Sequence, residues 1–274
     1  MDILEECARL SGLVRERSPL VHQITNYVTV NDCANVTLAA GASPIMADAV
    51  EEVEEIAKLA SALVLNIGTF NIRTAESMLK AGKAANAKGI PVVLDPVGAG
   101  ASALRTGWAA RLLEEIRIAV VRGNISEVAT LAGVAAHTKG VDAGSVDKNS
   151  NAAAIAADFA AKRKCVVAIT GARDTVSDGS RTVFIDNGVE ALTRVSGTGC
   201  MCSALVGAFA GAEPGKTFEA TVAAVACMGI AGEIAFERAG GLGTGSFRTA
   251  IIDAVSLMDG NAFFEKGRVG ETGH

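Results

Sequence analysis

The sequence predicts an α/β protein with a mostly parallel sheet covered by helices on both faces. Two observations carry this. Short, nearly continuous apolar runs rich in Val, Ile and Leu alternate with longer stretches of helical periodicity. Strands of that kind have no polar face to turn to water, so helices must cover both sides. The second observation is the composition. Half of the 274 residues are hydrophobic but only 4% are aromatic, so the core is built from small aliphatic side chains. With no low-complexity linker and no internal repeat, residues 1–274 are expected to form one domain.

In chain order, Asp2 to Arg17 reads as a charged amphipathic stretch, and no secretory leader is expected. Strands are expected at Leu20 to Thr25, Ser43 to Met46, Ala62 to Ile67, Ile90 to Asp95, Ile118 to Arg122 and Cys165 to Thr170. Helical stretches between them include Val50 to Ala60, Ile72 to Lys88 and Ala152 to Lys162. Thr175 to Val195 reads as antiparallel edge strands around an Asp178-Gly179-Ser180 turn. From Gly199 to Met258 the pattern is helical throughout. The apolar stretches Cys200 to Ala212 and Ala220 to Gly232 are short for a bilayer span and read as buried helices.

A net charge of −5, with no Lys/Arg run, argues against nucleic acid and an anionic membrane surface as partners. The six cysteines show no C-x-x-C spacing, which fits a reducing cytoplasm. Cys7, Cys33, Cys165 and Cys227 read as small core residues. Three scattered histidines, His22, His137 and His274, make a zinc site improbable.

Chemistry is expected at the carboxyl ends of the strands, where open α/β sheets bind ligands. Five expected strands end at or just before Met46, Gly68, Asp95, Arg122 and Thr170. Asp95, ahead of Pro96-Val97-Gly98-Ala99-Gly100, reads either as a carboxylate organising Mg²⁺ or as a turn Asp. Asn124 and Glu127 form an N-x-x-E spacing, which serves either a ligand face or a capping box at a helix start. Arg122 offers planar phosphate recognition, or a surface ion pair. Thr170-Gly171 places a hydroxyl and open backbone near a phosphate, or is an ordinary turn.

The most informative segment is Ser196-Gly197-Thr198-Gly199-Cys200, a glycine turn opening into an apolar helix. Such a turn aims unpaired N–H groups and a helix dipole at one point, an anion site. Cys200 would face whatever carries the anion. Read alone it is a buried helix-start thiol or a nucleophile; the latter needs a histidine, and His22 is the one candidate. Ala210 to Thr217 loosely matches a P-loop ending in Gly215-Lys216-Thr217, but it follows a helix and is rejected. Gly240 to Phe247 likewise reads as a helix–helix turn.

Together these residues resemble the hydroxyethylthiazole kinase family of the ribokinase-like superfamily. The matching pieces are Val21-His22-Gln23-Ile24-Thr25-Asn26-Tyr27-Val28, Asn31 to Met46 with Gly41-Ala42-Ser43-Pro44-Ile45-Met46, and Leu65-Asn66-Ile67-Gly68-Thr69. Leu94 to Ala99, Arg122 to Glu127 and Gly197 to Cys200 continue the likeness, which runs from about Pro19 to Phe264. The first two pieces are particular to this family; Asn-x-x-Glu and Gly-Thr-Gly are shared across the superfamily.

The resemblance implies ATP- and Mg²⁺-dependent phosphorylation of the alcohol of 4-methyl-5-(2-hydroxyethyl)thiazole, feeding thiamine salvage. It implies ATP contacts at Arg122, Thr170 and Asn124, and thiazole contacts at Met46, Gly197, Asn26 and Gly68. Asp95 and Glu127 would lie near the Mg²⁺. Family members form homotrimers with sites between subunits, so the Asn26 segment is expected to serve a neighbour. Cys200 departs from the superfamily, which usually has Asp there as base; a thiol is mostly protonated at neutral pH, so a weak base is expected at best. Another small-alcohol kinase on this fold and a non-catalytic sensor remain the alternatives.

Overall fold

The computed structural model describes residues 2–134 and 145–271, with side chains from residue 151 onward in the helix that follows the gap. A single nine-stranded sheet runs through the molecule. Its strands are β1 (Leu20–Ile24), β2 (Ser43–Ile45), β3 (Ala62–Asn66), β4 (Val92–Asp95), β5 (Val120–Asn124), β6 (Val166–Thr170), β7 (Asp174–Ser177), β8 (Thr182–Ile185) and β9 (Val269–Glu271). The order is β2-β1-β3-β4-β5-β6-β7-β8-β9. Neighbours from β2 through β6 are parallel and the last three pairings antiparallel. The fold class expected from the sequence is the one observed.

The period-2 geometry of strands divides the apolar runs between two cores. Val64, Val93, Val120 and Val166 enter one core, while Leu63, Leu65, Val92, Leu94, Val121 and Val167 enter the other. The second core is closed by α3 (Val53–Leu59), α4 (Ile72–Lys88), α5 (Ala103–Glu115), α6 (Ile125–Leu131) and α7 (Ser145–Arg163). The first is closed by α1 (Ile3–Arg17), α2 (Val30–Ala39), α8 (Thr198–Ala212), α9 (Thr217–Ala239), α10 (Thr244–Leu257) and α11 (Asn261–Lys266). Glycines let α8 lie directly on the sheet: a Cβ on Gly207 would stand 2.4 Å from Val64 Cγ2.

Three expectations need correction. The segment to Val195 does not stay extended: after β8, Glu190–Arg194 forms a 3₁₀ turn that leads to the glycine segment. The stretch Ala220 to Gly232 belongs to a longer helix. Pro214–Leu242 is long and apolar enough to cross a membrane by length and composition, but 83% of its apolar window is buried inside the molecule. Its apolar surface is therefore already covered by protein. The third is β9, which sequence reading missed. The rejected P-loop spans the end of α8, a 3₁₀ turn at Pro214–Lys216 and the start of α9, as expected. His137 and His274 lie outside the described residues.

Candidate active site

The carboxyl ends of β3 to β6 converge with the amino end of α8. Asp95, the last residue of β4, is fully buried. Its Oδ2 accepts from Asn66 Nδ2 at 2.8 Å and Ser203 Oγ at 2.8 Å, and stands 3.8 Å from Arg122 Nη1. Its Oδ1 is buried with no partner. Burial pushes this carboxyl up to about 6, against the pull of Arg122 and of both donors.

Arg122 reaches across from β5, its side chain only 12% exposed. Its Nη2 donates to Thr170 Oγ1 at 2.5 Å, on the neighbouring strand. A Cβ on Gly199 would stand 2.6 Å from Arg122 Nη1. Only glycine lets the guanidinium lie against the first turn of α8, where the helix N–H groups lack intrahelical acceptors. One cationic fork and one positive helix end therefore face the same space. That space is a cavity of about 590 Å³ lined by Arg122, Thr170, Asp174, Gly199, Cys202 and Met228, among others. Asp174 caps the turn after β6 by accepting from Gly171 N at 2.8 Å. Burial pushes its carboxyl up to about 7.

Cys200 is partly exposed, the other five cysteines are buried, and all six are free thiols. Its Sγ accepts from Asn26 Nδ2 and from Asn66 Nδ2, each at 3.2 Å. Asn66 Oδ1 accepts from Asn26 Nδ2 at 3.1 Å and from Gly68 N at 2.9 Å. Asn26 Oδ1 takes the N–H and hydroxyl of Thr29 at 3.1 and 3.0 Å. Thr29 in turn packs under Gly197, whose φ of +91° and 2.5 Å clearance to Thr29 Cγ2 exclude a side chain.

The structure thus brings Asp95, Arg122, Thr170, Cys200, Asn26, Gly68 and Gly197 into one connected assembly. Others are hydrogen-bonded or packed outside it, although Asn124 lies opposite Thr170 in the β5–β6 ladder. Asn124 and Glu127 form the capping box of α6: Glu127 N donates to Asn124 Oδ1 at 2.9 Å and Asn124 N to Glu127 Oε2 at 2.8 Å. Glu127 Oε1 also accepts from Gly98 N at 2.9 Å, so the pair shapes the loop after β4. Met46 follows the edge strand β2 and packs, partly buried, against the first core. His22 Nε2 bonds Ala47 O at 2.7 Å from a fully buried position, a structural hydrogen bond. The thiol has amide donors rather than imidazole beside it, which removes the basis for a Cys–His nucleophile. Sequence reading missed Asn66 and Ser203 because each sits inside an apolar element.

A model of the hydroxyethylthiazole kinase family matches residues 12–260. The chain belongs to this family. It is 57% identical over 268 residues to a hydroxyethylthiazole kinase of Ruminiclostridium cellulolyticum, covering 97% of this chain and 98% of that one. It is 53% identical to the Clostridium beijerinckii enzyme of the same name, covering 94% of each. A solved hydroxyethylthiazole kinase structure from Pyrococcus horikoshii superposes with a TM-score of 0.89 at 41% identity, covering 97% of this chain and 99% of that one. A Staphylococcus aureus pyridoxal kinase, solved with AMP-PCP and pyridoxal, superposes at 0.57 with 17% identity over 78% of this chain and 88% of its own. That likeness speaks to the ribokinase-like fold alone.

Proposed function

We propose that this chain transfers the γ-phosphoryl group of ATP to the hydroxyl of 4-methyl-5-(2-hydroxyethyl)thiazole, giving the thiazole phosphate for thiamine salvage. In this reading residues 1–274 act as one ribokinase-like kinase domain. The observation that carries it is the contact of Arg122 with the Gly199 turn, which joins a guanidinium and a helix N-terminus over one cavity.

The alcohol oxygen attacks the γ-phosphorus, the bond to the β–γ bridging oxygen breaks, and ADP leaves. Little covalent work falls to the protein; positioning and charge neutralisation do the rest. Arg122 and Thr170 hold the phosphates. The N–H groups from Gly197 to Cys200 meet the equatorial oxygens of the moving group. Gly68, Gly197 and Met46 present backbone and apolar surface suited to a small neutral heterocycle. Asn26 acts through Cys200 and Asn66 rather than on the substrate, since its own polar atoms are occupied. A loose transition state releases the alcohol proton late, so Cys200 is a weak base at best.

Among the described residues no cluster of three His, Cys, Asp or Glu forms a metal cage. That fits Mg²⁺ arriving on ATP, since Mg²⁺ keeps several waters and takes one or two carboxylates. The orphaned, buried Oδ1 of Asp95 is the group to hold it; Glu127, whose oxygens already take the N–H groups of Asn124 and Gly98, would reach it through water. Bound there, it would neutralise charge on the phosphates.

The test is ADP release with hydroxyethylthiazole, ATP and Mg²⁺, against controls lacking the thiazole and with chelator present. Thiazole-dependent turnover that stops on chelation is expected. Faster turnover of pyridoxal or a hydroxymethylpyrimidine would overturn the substrate assignment, and tight binding without ADP would point to a sensor.

A further inference from the structure

Arg105 lies on the first turn of α5, away from the phosphate cavity. Its Nη1 donates to Ile67 O at 3.0 Å and Val97 O at 2.9 Å, and its Nη2 to Gly68 O at 2.8 Å. These carbonyls belong to the loops leaving β3 and β4, just past the strand ends where the ladder no longer supplies N–H partners. One planar fork thus ties two neighbouring strand ends together, a geometry that the single ammonium of lysine does not reproduce. Gly98 makes room for it: its φ is +80° and a Cβ there would stand 3.0 Å from Arg105 Cδ.

The two loops are the ones that lead into the candidate site. The first carries Gly68, whose N–H bonds Asn66, and Thr69, whose Oγ1 accepts from Tyr27 N at 3.1 Å. Its next residue, Phe70, packs on Trp108 of the same helix, ring centroids 5.5 Å apart. The second carries Gly98, whose N–H bonds Glu127. We infer that Arg105 is a positioning residue for the acceptor alcohol: its guanidinium fixes the backbone at Gly68 and, through Asn66 and Tyr27, the Asn26–Cys200 side of the site. The inference rests on the kinase reading for its substrate and on hydrogen bonds alone for the clamp.

The experiment uses the full chain with Arg105→Lys and Arg105→Gln, wild type alongside. Amide hydrogen exchange is read on peptides covering residues 67–71 and 97–101, and KM is measured for thiazole and for ATP. Expected in both variants are exchange faster by about tenfold confined to those segments, and a thiazole KM raised about tenfold with the ATP KM within about twofold. Unchanged exchange at both loops overturns the clamp. A rise in ATP KM for Arg105→Gln that Arg105→Lys does not share overturns it in favour of simple charge. Lower thermal stability with both KM values unchanged overturns the positioning role. A wild-type chain that releases no ADP with thiazole sinks the kinase reading instead, and the exchange measurement still decides the clamp.

Discussion

Asp95 has one oxygen held by Asn66, Ser203 and Arg122 and the other with no partner. Burial lifts its carboxyl to about 6, so it takes up a proton as pH falls through that value and loses its charge beside Arg122. An acid limb near pH 6 in kcat, read at saturating ATP, is the consequence. Ser203→Ala removes a donor that favours the ionised form, which moves the limb to higher pH by about one unit; a pH profile with an unmoved limb would count against Asp95. The stability effect has its own sign. Because the folded value lies above the unfolded one of 3.8, the favourable contribution is complete below about pH 4 and is lost as pH rises through about 6. Asp174, lifted to about 7, lines the cavity assigned to ATP, so ATP is kept saturating to hold any effect of its titration on binding out of kcat. Cys200 and Arg122 separate more sharply. Cys200→Ala is expected to keep at least about a tenth of kcat, while Arg122→Ala loses about a hundredfold or more. Complete loss in Cys200→Ala, with folding and substrate binding intact, would make the thiol an essential base.

At the scale of elements, the opening of α8 couples backbone choice to catalysis in a way that can be separated from stability. Alanine is the better helix former, by about 1 kcal/mol over glycine. Gly199→Ala should therefore leave the melting temperature equal or higher, yet its Cβ displaces the Arg122 guanidinium, and kcat should fall about tenfold. A variant that melts like wild type and also turns over like it would show that the contact does not matter. The same element shows what a linear sequence discloses. The glycine turn, Arg122, Asp95 and Thr170 were legible because strand ends and helix starts carry local signals: β-branched runs that stop, glycines that open. Asn66 and Ser203 carry none. One closes an apolar strand and the other sits in an apolar helix, and they acquire meaning only when Asp95 arrives from a third element. Arg105 was hidden for a related reason, since its partners are carbonyls, which every residue possesses. The N-x-x-E pair went the other way. Its spacing suits both a ligand face and a capping box, and in the fold the capping box is formed. β9 is three residues long and lacks an apolar run, so its pairing with β8 was not readable.

For the molecule as a whole, the open question is whether one chain makes a complete site. Asn26 turns inward to Cys200 of its own chain, but the next two residues turn out: Tyr27 is 76% exposed and Val28 61%. Large side chains left this exposed beside a site for an apolar substrate are the ones a neighbouring copy would cover. In a cyclic homotrimer every interface is heterologous, so Val28 of one subunit would complete a site whose Arg122 belongs to the next. Complementation tests this directly. Arg122→Ala and Val28→Asp chains, each nearly inactive alone, are mixed after partial unfolding and reassembled. A site that takes intact Arg122 from one chain and intact Val28 from the other regains function, and random mixing at equal amounts gives about a quarter of wild-type activity. Two inactive parents that stay inactive in mixtures, while sizing shows three copies of the 27.8 kDa chain, would place both residues in one subunit's site. The quarter-activity outcome would instead mean that the exposed segment after β1 belongs functionally to its neighbour, and that the trimer is a condition of catalysis.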